Sequence, residues 1–186
     1  MDFARKLSAG LSYQDFLATH GNDEQRRRWS DFRGLLALTA EQQALLASFT
    51  REMPVVCLAG AWCGDCVNQC PMFDLFASAT DTIKLHFFDR DTHPDLAGEL
   101  KICGGARVPV VVFLSEDGFE VGRYGDRTLA KYRSVVASQA GAACPTGIGS
   151  PEAVLVKSVV QDWLDEFERA QWVLRTSARL RTKHGD

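Results

Sequence analysis

The sequence predicts an α/β domain with a mixed central β-sheet flanked by helices, and with helical extensions at both ends. Three observations carry this expectation. Short apolar runs at 55–59, 83–88 and 108–114 have the β-branched character of strands buried on both faces. Helix-compatible stretches at about 63–79 and 94–102 lie between them, giving a βαβ alternation. Ser115-Glu116-Asp117-Gly118 then supplies the turn residues of a hairpin before an expected strand over 119–123.

Residues 1–53 alternate apolar and polar groups at helical spacing and read as two or three helices packing on the domain. Gly21-Asn22-Asp23 separates an early helix over 12–19 from an arginine-rich one, and Thr39-Ala40-Glu41-Gln42 has the form of a capping box. The predicted domain spans 54–140 and ends in a helix carrying Leu129, Tyr132, Val135 and Val136. A loop over 141–150 follows, in a stretch rich in glycine and proline, and Ser150-Pro151-Glu152 opens a terminal helix over 151–186.

With 186 residues, 46% hydrophobic and 24% charged, the chain can bury a core of ordinary size without disulfide staples. A net charge of −3 gives no footprint for nucleic acid. The local runs Arg26-Arg27-Arg28 and Arg175, Arg179, Arg181 and Lys183 read as solvated helix faces. No apolar run approaches the ~20 residues of a membrane span, and the first residues lack the basic-then-apolar order of a secretory signal. The expected compartment is therefore the cytoplasm, with neither nucleic acid nor membrane as a partner. In such a reducing compartment, the closely spaced members of six cysteines point to catalysis or metal rather than to a disulfide framework.

The chemistry concentrates in Trp62-Cys63-Gly64-Asp65-Cys66. The two thiols follow a buried strand and begin a helix, where backbone N–H groups favour a thiolate. At this spacing both sulfurs meet across the first turn and can close a small ring. Trp62 offers an apolar surface to a partner. Asp65 pulls two ways: its carboxylate beside Cys63 disfavours a thiolate, while its backbone N–H supports one.

These residues resemble the active-site segment of the thioredoxin family, with aspartate where thioredoxins carry proline. Pro71 matches the family's helix-kinking proline, and Val108-Pro109 its pair of a hydrophobic residue and a cis-proline facing the dithiol. The resemblance implies a thioredoxin-like fold over roughly 54–137 and a thiol-disulfide oxidoreductase, similar to a bacterial branch of the family. It implies that Cys63 attacks a substrate disulfide and Cys66 resolves the mixed disulfide, with Gly64, Asp65, Val108 and Pro109 supporting and no cofactor. The implied partners are a disulfide-containing protein or small molecule and a recycling reductase. Two departures stand out: Cys57 occupies the place of the family's buried aspartate, and Phe87 that of its companion lysine. Proton delivery to Cys66 then falls to water or to Asp65.

Cys57 in its apolar strand and Cys70 one turn beyond Cys66 are candidate extra redox thiols, although simple packing accounts for each. Nothing pairs Cys103 or Cys144. Two rival readings remain. Cys63, Cys66 and Cys70, with Cys57, His86 or His93, offer thiolate and imidazole ligands for a zinc or iron–sulfur site, but no second CxxC completes the spacing. Alternatively the domain binds a partner through Trp62, Val108 and Pro109 without turnover.

Overall fold

The computed structural model of the chain describes residues 1–140 and 153–186. Four strands, β1 (Met53–Ala59), β2 (Ile83–Asp89), β3 (Val110–Leu114) and β4 (Glu120–Gly125), form one sheet in the order β2-β1-β3-β4. β1 and β2 pair in parallel, while β1–β3 and β3–β4 are antiparallel, so the sheet is mixed as expected. β1 and β3 are buried along their whole length, which matches their unbroken apolar sequence.

A 3-10 turn at Ala4–Ala9 and three helices, α1 (Tyr13–His20), α2 (Asp23–Leu35) and α3 (Ala40–Ala47), precede the sheet. Their starts are explained by their caps. Ser12 accepts the Asp15 N–H, and Asn22/Gln25 and Thr39/Gln42 form reciprocal capping boxes. The chain ahead of α1 also touches the sheet directly, because Leu11 and Phe87 exchange backbone hydrogen bonds at the outer edge of β2.

The helix expected over 63–79 is two helices, α4 (Gly64–Val67) and α5 (Cys70–Ser78). Gln69, at φ −133, leaves helical geometry, and Pro71 stands in the first turn of α5, where its missing N–H is not needed. α6 (Pro94–Glu99) and α7 (Leu129–Ala140) follow. The terminal helix expected over 151–186 is likewise two, α8 (Ala153–Thr176) and α9 (Ala178–His184), interrupted at Ser177. The 141–150 loop and the Ser150-Pro151-Glu152 cap lie outside the described residues, as does Cys144.

Cys57, Phe87 and Val111 are register partners and share one face of the sheet. α1 covers that face through Tyr13 and Phe16 against Phe87, α5 through Cys70 against Cys57, and α8 through Phe167 against Phe113. The terminal basic residues Arg175, Arg179, Arg181 and Lys183 are all exposed, and two of them form ion pairs. Arg179 pairs with Asp117 and Lys183 with Glu116, so α9 is held against the β3–β4 turn.

Candidate functional site

β1 delivers the chain through Gly60-Ala61-Trp62 to Cys63, the N-cap residue of α4. A Cβ at Gly60 would strike the Trp62 indole, so the glycine lets that ring fold back over the strand end. The Arg90 guanidinium stacks 4.4 Å from the ring centroid on Trp62, which remains 43% exposed. Ala61 is fixed from the N-terminal extension: the buried Trp29 donates its indole N–H to the Ala61 carbonyl at 2.9 Å.

Cys63 is partly exposed and Cys66 fully buried. Cys63 Sγ lies 3.6 Å from the Val108 carbonyl oxygen, and the Val108–Pro109 peptide is cis. The structure thus brings Cys63, Cys66, Val108 and Pro109 together as the sequence suggests. Gly64 has open space where a Cβ would stand, which leaves the approach to Cys63 unobstructed on that side.

The two thiols shift in opposite directions. Burial acts to raise the Cys66 thiol, but hydrogen bonds from the Cys63 and Cys70 thiols and from the Gly60 N–H outweigh it and bring it down to about 5. Cys63 moves up in response, first because its hydrogen bond to Cys66 holds its proton and then through its own burial. The pair therefore gives up one proton easily and keeps the other. Since α4 has only four residues, this stabilisation comes from individual N–H and S–H donors rather than from a long helix dipole.

Asp65 differs from its expected role. Its carboxylate accepts from Arg127 Nε at 2.8 Å, an ion pair at the edge of the site, and its charge bears on Cys66 rather than on Cys63. Its backbone N–H does support Cys63. With the side chain held by Arg127, Asp65 is not poised to deliver a proton to Cys66.

Three residues that sequence reasoning passed over hold the site in place. Gln69 is buried, donates to the carbonyls of Asp65 at 3.2 Å and Asp126 at 3.0 Å, and accepts the Trp163 indole N–H at 2.8 Å. Asp126, also buried, accepts from Tyr132 Oη and from Arg107. Gly125, at φ +149, passes so close to the proline loop that a Cβ would overlap the Pro109 carbonyl. The glycine within an apolar-to-polar transition was the one visible signal; nothing in the linear sequence joins Gln69 to Trp163. We expect Gly125→Ala to cost about 2–3 kcal/mol in thermal unfolding and to slow disulfide exchange, because it pushes Pro109 away from Cys63.

Behind the pair stand Cys57 and Cys70, both fully buried, with their sulfurs 4.0 Å apart. Burial pushes both thiols up. Among the described residues, no group of three or more His, Cys, Asp or Glu side chains is arranged to hold a metal ion. Cys103 is exposed, with a left-handed backbone at φ 51, and stands apart from the cluster. No helix among the described residues is long and apolar enough to cross a membrane.

Among solved structures, a protein of unknown function from Pseudomonas aeruginosa is similar at 18% identity and a TM-score of 0.73, covering 96% of this chain and 99% of that one. An HIV epitope-scaffold aligns at 18% identity and a TM-score of 0.65, covering 96% of this chain and all of its own. Both share the fold over nearly the whole chain. No curated protein matches the sequence. The thioredoxin family model matches residues 10–138, so it takes in α1 to α3 as well as the sheet and begins well before the 54–137 stretch that carries the motif resemblance. With that match spanning most of the chain, and with a mixed four-stranded sheet that sets a Cys-x-x-Cys turn opposite a Val-Pro peptide, this chain belongs to the thioredoxin family.

Proposed function

We propose that the protein is a thiol-disulfide oxidoreductase that reduces disulfides of proteins or small molecules through Cys63 and Cys66. The observation that carries this reading is the asymmetry of the pair: Cys63 is reachable and its sulfur lies 3.6 Å from the Val108 carbonyl oxygen, while its partner Cys66 is fully buried. Cys63 attacks one sulfur of the substrate disulfide, and that S–S bond breaks with its electron pair leaving on the other sulfur. Cys66 then attacks Cys63 Sγ, closing the Cys63–Cys66 bridge and releasing the second substrate thiol. Of the two protons the substrate thiols take up, one comes from the remaining thiol of the pair and one from solvent. A separate dithiol or reductase returns the enzyme to its reduced form.

Each neighbour has a part in this reaction. Val108, whose carbonyl faces Cys63, presents backbone to an extended substrate segment, and Trp62 gives that segment an apolar surface. The Arg127 pairing draws the Asp65 charge away from the thiols, so the carboxylate opposes ionisation of Cys66 less than a free one would. Such chemistry belongs in a reducing compartment, and we assign the protein to the cytoplasm on that ground.

The experiment is the catalysed reduction of insulin disulfides by dithiothreitol. Acceleration by the purified protein supports the proposal; a rate equal to dithiothreitol alone, with Cys63 and Cys66 never bridged, leaves only partner binding through the same surface. The low ionisation at Cys66 adds a pH signature. One equivalent of ultraviolet thiolate absorbance should appear between about pH 4 and 6 in the wild type and be missing from Cys66→Ser. Absorbance that first appears around pH 8.5, as for an unperturbed thiol, would contradict it.

A further inference from the structure

We propose that Cys57 and Cys70 form a second, buried dithiol that takes over the disulfide from Cys63–Cys66, so that one chain stores two electron pairs. The inference rests on the oxidoreductase reading above. Its basis is a line of sulfurs running inward from the surface: Cys63 is partly exposed, and Cys66, Cys70 and Cys57 are fully buried behind it. The Cys70 sulfur lies 4.0 Å from that of Cys57, at contact distance, and Cys66 is close enough to bear on the ionisation of Cys70. A disulfide requires the sulfurs to close to about 2.05 Å, a movement that small side-chain rotations of two neighbours can supply. The break in the helix at Gln69 sets Cys70 at the head of α5, between Cys66 and the strand bearing Cys57.

The transfer balances in two steps. Cys70 Sγ attacks Cys66 Sγ in the oxidised pair; the Cys66–Cys70 bond forms, the Cys63–Cys66 bond breaks, and Cys63 leaves with the electron pair and takes the proton from Cys70. Cys57 Sγ then attacks Cys70 Sγ; the Cys57–Cys70 bond forms, and Cys66 leaves with the electron pair and the proton from Cys57. The oxidant is the substrate disulfide of the proposed reaction, and the outer dithiol is restored for a second round. Zero exposure keeps a bulky oxidant from reaching Cys57 or Cys70 directly, while the contact between their two sulfurs gives the final exchange a high effective concentration.

The test treats the full chain with excess glutathione disulfide, denatures it in alkylating agent, and maps bridged cysteines by mass spectrometry. The relay predicts both Cys63–Cys66 and Cys57–Cys70 bridges in the wild type. It predicts a twofold drop in thiols consumed at these four positions for Cys57→Ala, and reduced Cys57 and Cys70 in Cys63→Ser. A Cys63–Cys66 bridge with Cys57 and Cys70 recovered as thiols overturns the relay and leaves the oxidoreductase reading standing. A Cys57–Cys70 bridge that forms in Cys63→Ser at the wild-type rate also overturns it. Wild-type protein with no bridge among these four overturns both.

Discussion

Replacing Cys63 by serine should reduce disulfide reductase activity to background, a loss on the order of a thousandfold or more, because a hydroxyl cannot replace the thiolate as nucleophile. Replacing Cys66 should act differently. The Cys66→Ser protein keeps the attacking sulfur and loses the resolving one, so it should consume at most one equivalent of substrate and stop as a mixed disulfide. The difference follows from burial: Cys63 can meet a substrate, whereas Cys66 reaches it only through Cys63. Because the hydrogen bond to Cys66 is the largest cause that raises the Cys63 thiol, replacing Cys66 should bring Cys63 down towards an ordinary thiol and speed the first attack. Stopped-flow kinetics of both variants would read this, and equal residual turnover in the two would contradict the assigned order.

Gln69→Leu should be the most damaging substitution among residues that touch no sulfur. Gln69 satisfies the Trp163 indole N–H and the carbonyls of Asp65 and Asp126, all through buried or partly buried contacts. Leucine has similar bulk but leaves those groups without the partner, at roughly 1–3 kcal/mol for each that water cannot reach. We expect a total cost of about 2–4 kcal/mol, seen as a fall in Tm of roughly 5–15 °C for a chain of this size. Trp163→Phe removes one of these hydrogen bonds and keeps most of the ring packing against Phe73 and Tyr124, so it should cost about half as much. Thermal unfolding of the two variants side by side is the check. A Gln69→Leu protein within about 0.5 kcal/mol of wild type would show that water replaces the side chain. Both variants should also lose activity, since Gln69 ties the Cys63–Cys66 turn to α8 and to the Asp126 loop.

The elements most legible in the sequence were those set by local chemistry. β1 and β3 announced themselves as apolar β-branched runs, α3 by its capping box, and the β3–β4 turn by Asp117-Gly118. The dithiol was legible because its spacing is itself the chemistry, and the Val108-Pro109 pair through the resemblance to thioredoxins. Two features were not. The break between α4 and α5 depends on the backbone of Gln69, whose side chain serves three partners distant in sequence. The direction of the Asp65 carboxylate depends on Arg127, 62 positions away. Long-range polar pairs of this kind leave no periodic trace in the chain. The extensions were read only as helical cover. The structure shows that Trp29 and Trp163, from opposite ends, each place an indole N–H onto the active-site frame, one directly at Ala61 and one through Gln69.

The central claim is that Cys63 is the attacking sulfur of an exchanging pair, and the most direct measurement is to trap it. Cys66→Ser protein is incubated with glutathione disulfide and digested, and the adduct is located by mass spectrometry. The account predicts one stable glutathione adduct on Cys63 that forms faster than on the exposed Cys103, and that wild-type protein resolves within the same time. An adduct confined to Cys103, or none at all on Cys63, would contradict it.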